Sequence, residues 1–335
     1  MHAYIYTVEG HFLYKNKHLR PGPCRFFQMR KPQLSGPLAK RTSNLNSIFG
    51  VKKPAGESSA QIVAVVKNAI LNALSQGSLP AKEFRALKSN LKVGHGGTLD
   101  PIATGVLVIG VGNGCKRLQE YLQDTQKSYR AICRFGRDFD TYDRTGVVME
   151  ERPFDNITRE QIEEALREKF TGTIMQKPPA FSALRINGER AYDIARKRQI
   201  SMVENVNNEK KARAGRDINE TKKTNEDNHT LLSHNLAFDT SGGPLVLPER
   251  QVTISRLELK ELNLPEFVIE MDCSSGTYVR SLIHDLGLAL GSVAAMYELE
   301  RTAQGPITVE ECVELSALTD PSFIEKLLFI TTEIK

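Results

Sequence analysis

The residues best placed to do chemistry lie in Lys92-Val-Gly-His-Gly-Gly-Thr-Leu-Asp-Pro-Ile-Ala-Thr-Gly105. Glycines 94, 96 and 97 leave so little side chain that the backbone can turn sharply or lie against a ligand. His95 stands alone among them. Asp100 follows, and Pro101 biases it away from the α region. The next residues, Val106-Leu-Val-Ile109, read as a buried strand. A carboxylate held stiffly at the lip of a sheet suits a nucleophile, although a tight turn with an Asx cap would look the same in isolation.

Rival constellations are weaker. Gly110-Val-Gly-Asn-Gly114 lacks the spacing of a dinucleotide fingerprint or a P-loop. Asp138, Asp140 and Asp143 begin like a calcium loop, but Tyr142 and Met149 fill positions that need oxygen ligands. Nothing beyond residue types suggests a Ser–His–Asp triad. The five cysteines, 24, 115, 133, 273 and 312, form no Cys-x-x-Cys pair, which argues against a zinc site and a secreted disulfide framework. No metal is expected.

The elements that must position this loop can be read around it. Ile48–Val51 is a short strand leading to Lys53, and Ser58 or Ser59 caps a helix reaching about Gln76, with Ile62, Val66, Ile70 and Leu74 on one face. Cys115–Gln123 reads as a helix presenting Leu118 and Leu122. Tyr129, Ala131, Cys133 and Phe135 alternate along a strand, and Thr158-Arg-Glu-Gln161 is a capping box for a helix carrying Ile162, Ala165, Leu166 and Phe170. Val252–Leu259 and Phe267–Cys273 alternate as neighbouring antiparallel strands. Thr277 is expected to cap a helix that turns Leu282, Ile283, Leu286 and Leu290 inward.

With 335 residues, 40% hydrophobic and 25% charged, the chain can bury a sizeable core. Its 45 basic against 40 acidic residues give a net charge of +5, compatible with a nucleic-acid partner. No apolar run is long enough to span a bilayer. Residues 1–44 are basic and expected to be flexible, with Glu9 their one acid. No apolar stretch marks them as a secretory signal. Residues 201–247 are polar, and at least as far as Thr230 cannot offset their ordering entropy, so a disordered insertion is expected. A short tail, 319–335, ends the chain.

Gly94-His-Gly-Gly-Thr-Leu-Asp-Pro-Ile-Ala-Thr-Gly105 resembles the signature of the TruB family of pseudouridine synthases. Further matches are collinear with it: Lys53-Pro-Ala-Gly-Glu-Ser-Ser59, Lys127-Ser-Tyr-Arg-Ala131, Asp140-Thr-Tyr-Asp-Arg-Thr-Gly146, Pro179-Ala-Phe-Ser-Ala-Leu184, Gly276-Thr-Tyr-Val-Arg-Ser281 and Leu299-Glu-Arg-Thr302. The resemblance implies an α/β mixed (α+β) fold over 45–318, with a central mixed, largely antiparallel sheet flanked by helices. Only about thirty residues follow Pro306, so no C-terminal PUA domain is expected.

The resemblance also implies roles. Asp100 is the nucleophile, attacking C1′ or C6 of a uridine. A carboxylate in a dry pocket needs a fixed cation, and Arg280 is the candidate, expected to pair with Asp100. Tyr129 stacks on the target base, Tyr278 and Leu299 line the pocket, and His95 sits against the RNA loop from which the base is flipped. Lys53 is expected to meet phosphate. The reaction transfers no electrons or phosphate, so no cofactor is needed. Likeness to the eukaryotic branch, including Arg301-Thr-Ala-Gln-Gly-Pro306, points to tRNA and to position 55 in its T-arm loop. A monomer is expected, with no membrane partner, in the nucleus or mitochondrion. The alternatives are a guide-RNA-dependent member of the family and a tRNA-folding chaperone with secondary or lost catalysis.

Overall fold

A computed structural model describes residues 3–8, 11–16, 46–75, 80–182, 184–186, 188–191, 193–196 and 247–324. In chain order they begin with β1 (Ala3–Val8), β2 (His11–Asn16), β3 (Asn46–Lys53), α1 (Ser59–Ser75), α2 (Ala81–Asn90), β4 (Val93–His95), β5 (Thr104–Gly112) and α3 (Leu118–Gln123). Next come β6 (Lys127–Phe135), β7 (Arg137–Phe139), β8 (Val148–Glu151), α4 (Arg159–Ala165), β9 (Gly172–Gln176), β10 (Arg185–Ile186) and β11 (Glu189–Arg190). Last are β12 (Arg250–Asn263), β13 (Glu266–Cys273), α5 (Val279–Ala289), β14 (Ala294–Gln304) and β15 (Ile307–Thr308). The chain divides into two compact units, Met1–Arg130 with Leu299–Lys335, and Ala131–Glu298.

In the first unit β5 is the centre. β3 runs antiparallel along one edge, from Asn46 opposite Gly112 to Lys53 opposite Gly105. The other edge is shared by β4, antiparallel at Ile109 to Val111, and β14, parallel at Thr104 and Gly105. Both faces of β5 are covered. Leu107, Ile109 and Val111 pack with Ile62, Val66 and Ile70 of α1, while Val106 and Val108 pack with Leu118, Tyr121 and Ile307. A strand buried on both sides has no use for alternation, hence its unbroken apolar run. Helix α1 starts as expected: Ser58 Oγ accepts the Gln61 N–H at 3.2 Å, and Gln61 Oε1 accepts the Ser58 N–H at 2.8 Å. The expected Cys115–Gln123 helix is shorter. A 3-10 turn occupies Asn113–Arg117, and the face is then set by Leu118 and Tyr121, three residues apart, which leaves Leu122 exposed.

In the second unit the order is β6, β13, β12, β9. β12 is antiparallel to both β13 and β9, as the alternation of the first two implied. The capping box at Thr158 and Gln161 is present, and its helix passes into one π turn over Leu166–Phe170. Helix α5 departs from expectation. Tyr278, not Thr277, is its N-cap residue, and the Thr277 hydroxyl instead donates to Ser274 O at 2.9 Å. Leu282, Ile283 and Leu286 are buried, while Leu290 falls at the C-cap, half-buried.

Within the basic N-terminal segment β1 and β2 form an antiparallel hairpin; the rest of that segment lies outside the described residues, as do residues 201–246 of the insertion and 325–335 of the tail. Among the described residues no helix is long and apolar enough to cross a membrane.

Candidate active site

The Asp100 loop occupies a gap in the sheet. On its shared edge β5 pairs with β14 at 104–105 and with β4 at 109–111, so the carbonyls of Val106 and Val108 face no strand. The Gly96 N–H donates to Val108 O at 2.8 Å, and Arg301 Nε donates to Val106 O at 2.7 Å. Arg301 Nη2 also reaches Gly97 O at 3.2 Å, and Gln304 Nε2 donates to Gly96 O and Tyr121 O at 2.5 and 2.8 Å. Both side chains are fully buried. The glycines are needed for this contact: a Cβ on Gly96 would press on Tyr121 Cβ at 2.9 Å, and Gly97 adopts a φ of +142°.

The peptides on either side of Asp100 are held from α1 and β3. The Ser59 hydroxyl accepts the Leu99 N–H at 2.9 Å and donates to Leu99 O at 3.2 Å. Lys53 is fully buried, and its ammonium donates to Pro54 O, Pro101 O and Ala103 O at 2.8, 3.0 and 2.7 Å. A turn closes the loop where the Ala103 N–H meets Asp100 O at 3.0 Å. Burial lowers the Lys53 pKa to about 8; the Asp100 and Glu57 carboxylates oppose that shift, and Arg301 adds to it. The ammonium of Lys53, the residue expected to meet phosphate, fastens the turn that presents Asp100.

The other expected residues of this unit lie on its strands. Half-buried His95 ends β4, and its Nδ1 accepts the Gly97 N–H at 3.3 Å. Tyr129 is buried on β6, and Leu299, also buried, accepts the Thr104 hydroxyl on its carbonyl at 3.4 Å.

Tyr278 and Arg280 belong to the second unit. Gln176, buried at the end of β9, takes the Tyr278 N–H on Oε1 at 2.8 Å and donates from Nε2 to Tyr278 O at 3.0 Å. The Gln176 amide thus does what a neighbouring strand would do and sets where α5 begins. The Arg250 guanidinium lies 5.2 Å from the centre of the Tyr278 ring. Arg280 is the second residue of α5 and buried. Its Nη1 donates to Thr141 O at 3.0 Å, its Nη2 to Phe181 O at 2.9 Å, and its Nε lies 3.8 Å from Asp143 Oδ2. The other Asp143 oxygen accepts the hydroxyls of Thr141 and Thr145 and the Thr145 N–H, at 3.0, 2.5 and 2.9 Å. A cation in a first helical turn opposes the helix dipole, and these oxygens supply the compensation.

Sequence reasoning therefore missed Ser59 as a clamp on Leu99, and Arg301, Gln304 and Gln176 as braces. Arg301 and Gln304 lie in a quoted motif, so a signal existed. Gln176 gives none, because its partner is 102 residues away.

The comparisons agree with the motifs. The N-terminal domain model of TruB family pseudouridylate synthases matches residues 85–226, and the C-terminal domain model of tRNA pseudouridylate synthase B matches 280–328. The human pseudouridylate synthase TRUB1 is 36% identical over 82% of this chain, which spans 65% of that protein's length. The tRNA pseudouridine synthase B of Parabacteroides distasonis is 35% identical over 73% of this chain and 84% of its own. A solved structure, that of a Cbf5-Nop10-Gar1 complex, shares the fold over 89% of this chain and 62% of its own, at 23% identity and a TM-score of 0.51. With relatives of this identity and coverage, the chain belongs to the TruB family of pseudouridine synthases.

Proposed function

We propose that this chain isomerises uridine to pseudouridine in tRNA, at position 55 of the T-arm loop, with Asp100 as the nucleophile. The observation that carries the reading is the way Asp100 is presented. Ser59 and Lys53 hold the peptides before and after it, and Arg301 and Gln304 hold the glycines that precede it. A reaction that breaks C1′–N1, turns the uracil and rejoins it through C5 needs one carboxylate held still while the base stays in place. Atoms balance without a co-reactant: the proton lost from C5 is matched by one gained at N1.

In this reading Tyr129 stacks on the base, Arg280 is the fixed cation of the reaction, and Tyr278 and Leu299 line the pocket. His95 takes the space left by the flipped nucleotide. Lys53 acts through the loop and touches no RNA. The enzyme works as a monomer without guide RNA, in the nucleus or mitochondrion where tRNA matures.

The test is incubation of pure protein with unmodified tRNA, no guide RNA added, followed by mapping of pseudouridine. Product at position 55 is expected, and Asp100→Asn should give none while binding tRNA within a few-fold. Product made by Asp100→Asn would reject the nucleophile. No product from the unaltered protein without guide RNA would move the reading to a guide-dependent enzyme or an RNA chaperone.

A further inference from the structure

Arg280 is held partly by a carbonyl whose direction depends on its neighbour. Thr141 O, which accepts from Arg280 Nη1, belongs to the Thr141–Tyr142 peptide, and φ of Tyr142 is the next torsion along the chain. That φ is +60°, and Tyr142 is the one non-glycine residue with positive φ among the described residues. A side chain with a ring disfavours this conformation, so something must hold it. The Tyr142 ring stacks on the His284 imidazole, with centroids 3.9 Å apart and planes 18° apart. His284 is in turn fixed by its Nδ1, 3.0 Å from Oδ1 of the buried Asp138 on β7. His284 also lies four residues after Arg280, on the same face of α5. The Tyr142 backbone has its own anchor, since its carbonyl accepts the Met296 N–H at 3.2 Å. Burial, with Asp138 and Asp285 acting the same way, holds the Tyr142 phenol up at about 12, so the stacked ring stays neutral.

We infer that Asp138, His284 and Tyr142 form a positioning relay that keeps the Thr141 carbonyl aimed at Arg280 and so fixes the direction of that guanidinium. This rests on the reading in which Arg280 serves the isomerisation. None of the three residues needs to touch RNA. The relay predicts a particular pattern of loss and repair. The turn has two backbone supports as well, the Tyr142 N–H on Phe139 O at 2.9 Å and the Met296 N–H on Tyr142 O. Without the imidazole the positive φ loses its side-chain support, the peptide is free to turn part of the time, and Arg280 loses an acceptor for that fraction. Glycine at position 142 holds a positive φ unaided.

The experiment measures single-turnover rates on unmodified tRNA at saturating protein, alongside tRNA affinity. His284→Ala should slow turnover on the order of tenfold to a hundredfold, the usual effect of a small displacement of a reacting group, with affinity nearly unchanged. Adding Tyr142→Gly to His284→Ala should recover part of the rate. A side chain that serves only stability would give the opposite, a double variant no faster than the single one. Full activity of His284→Ala, or no recovery in the double variant, overturns the relay. The same variants are read independently of activity by NMR of the Arg280 Nε–H resonance, assigned by its absence in Arg280→Lys. The resonance should shift in His284→Ala and return in the double variant. An unmoved resonance rejects the relay, whereas a moved and restored one beside an inactive unaltered protein rejects only the function assigned to Arg280.

Discussion

Replacing Lys53 with methionine keeps most of the side-chain length and removes the ammonium. Three carbonyls lose its hydrogen bonds, but Pro101 O keeps a second donor in the Gly56 N–H at 2.8 Å. That leaves Pro54 O and Ala103 O, each worth roughly 1–3 kcal/mol when stripped of a donor inside the protein. Against this stands the relief of burying no charge. The fall from the ordinary lysine value of 10.5 to about 8 corresponds to at most about 3 kcal/mol, and to less where water screens the charge. The two stripped carbonyls together cost about 2–6 kcal/mol, and the relief offsets up to about 3 of it. The expected net loss at neutral pH is therefore about 1 kcal/mol at the middle of that range with full relief and a few kcal/mol at most, short of unfolding the protein. Activity should suffer more, on the order of tenfold to a hundredfold, because the residues set loose are those after Asp100. The sign of the pH dependence follows from the direction of the shift. The folded state releases the Lys53 proton at lower pH than the unfolded state, so between about 8 and 10.5 the unfolded chain holds more protons. The unaltered protein should therefore gain stability relative to Lys53→Met across that window, and the difference should be flat below it. Urea denaturation of both proteins from neutral pH to about 10.5 measures this. A difference independent of pH would refute the buried, depressed lysine. Unchanged turnover in Lys53→Met would refute its role as a brace.

Other substitutions probe the remaining supports. Gly105→Ala would drive a Cβ into the Arg301 carbonyl at a φ of +96°, and should cost about 3 kcal/mol or more in chemical denaturation; a cost below about 1 kcal/mol would show that β14 can give way. Gln176→Leu strips the acceptor from the Tyr278 N–H, while Tyr278 O keeps the Leu282 N–H at 3.1 Å, so a loss of about 1–3 kcal/mol and a slower single-turnover rate are expected. Retention of the full rate would separate the start of α5 from the reaction. Arg280→Lys should lose most activity, since lysine cannot serve Thr141 O, Phe181 O and Asp143 with a planar fork. His95→Ala should slow a folded T-arm more than a short single strand, where little stacking must be broken. Equal slowing would leave His95 as a structural residue of the loop, where its Nδ1 accepts the Gly97 N–H.

Much of this protein could be read directly from residue order, because much of it is local. Helical spacing in Ile62, Val66, Ile70 and Leu74, alternation in β6 and β12, and the capping box at Thr158 depend only on neighbours along the chain. The motif around Asp100 also named its family, since several short patterns in one order seldom coincide by chance. Local reasoning failed where a helix boundary was set from far away. Thr277 has the chemistry of an N-cap, yet Gln176 fixes Tyr278 and moves the start of α5 by one residue. Leu122 fits a helical face that begins at Cys115, but the 3-10 turn delays the helix and Tyr121 takes the buried place. The family resemblance alone gives Lys53 a phosphate to meet, and nothing in its neighbours along the chain speaks of burial. Only the pairing of β3 with β5 carries it inside, to three carbonyls that no sequence rule could assign to it. The same holds for Arg301 and Gln304, whose value depends on a gap between β4 and β14 along one edge of β5. Residue order thus singles out Asp100 as the carboxylate proposed to act as nucleophile. Tertiary structure decided what holds it still, because a buried donor takes whichever acceptor the packed chain brings to it.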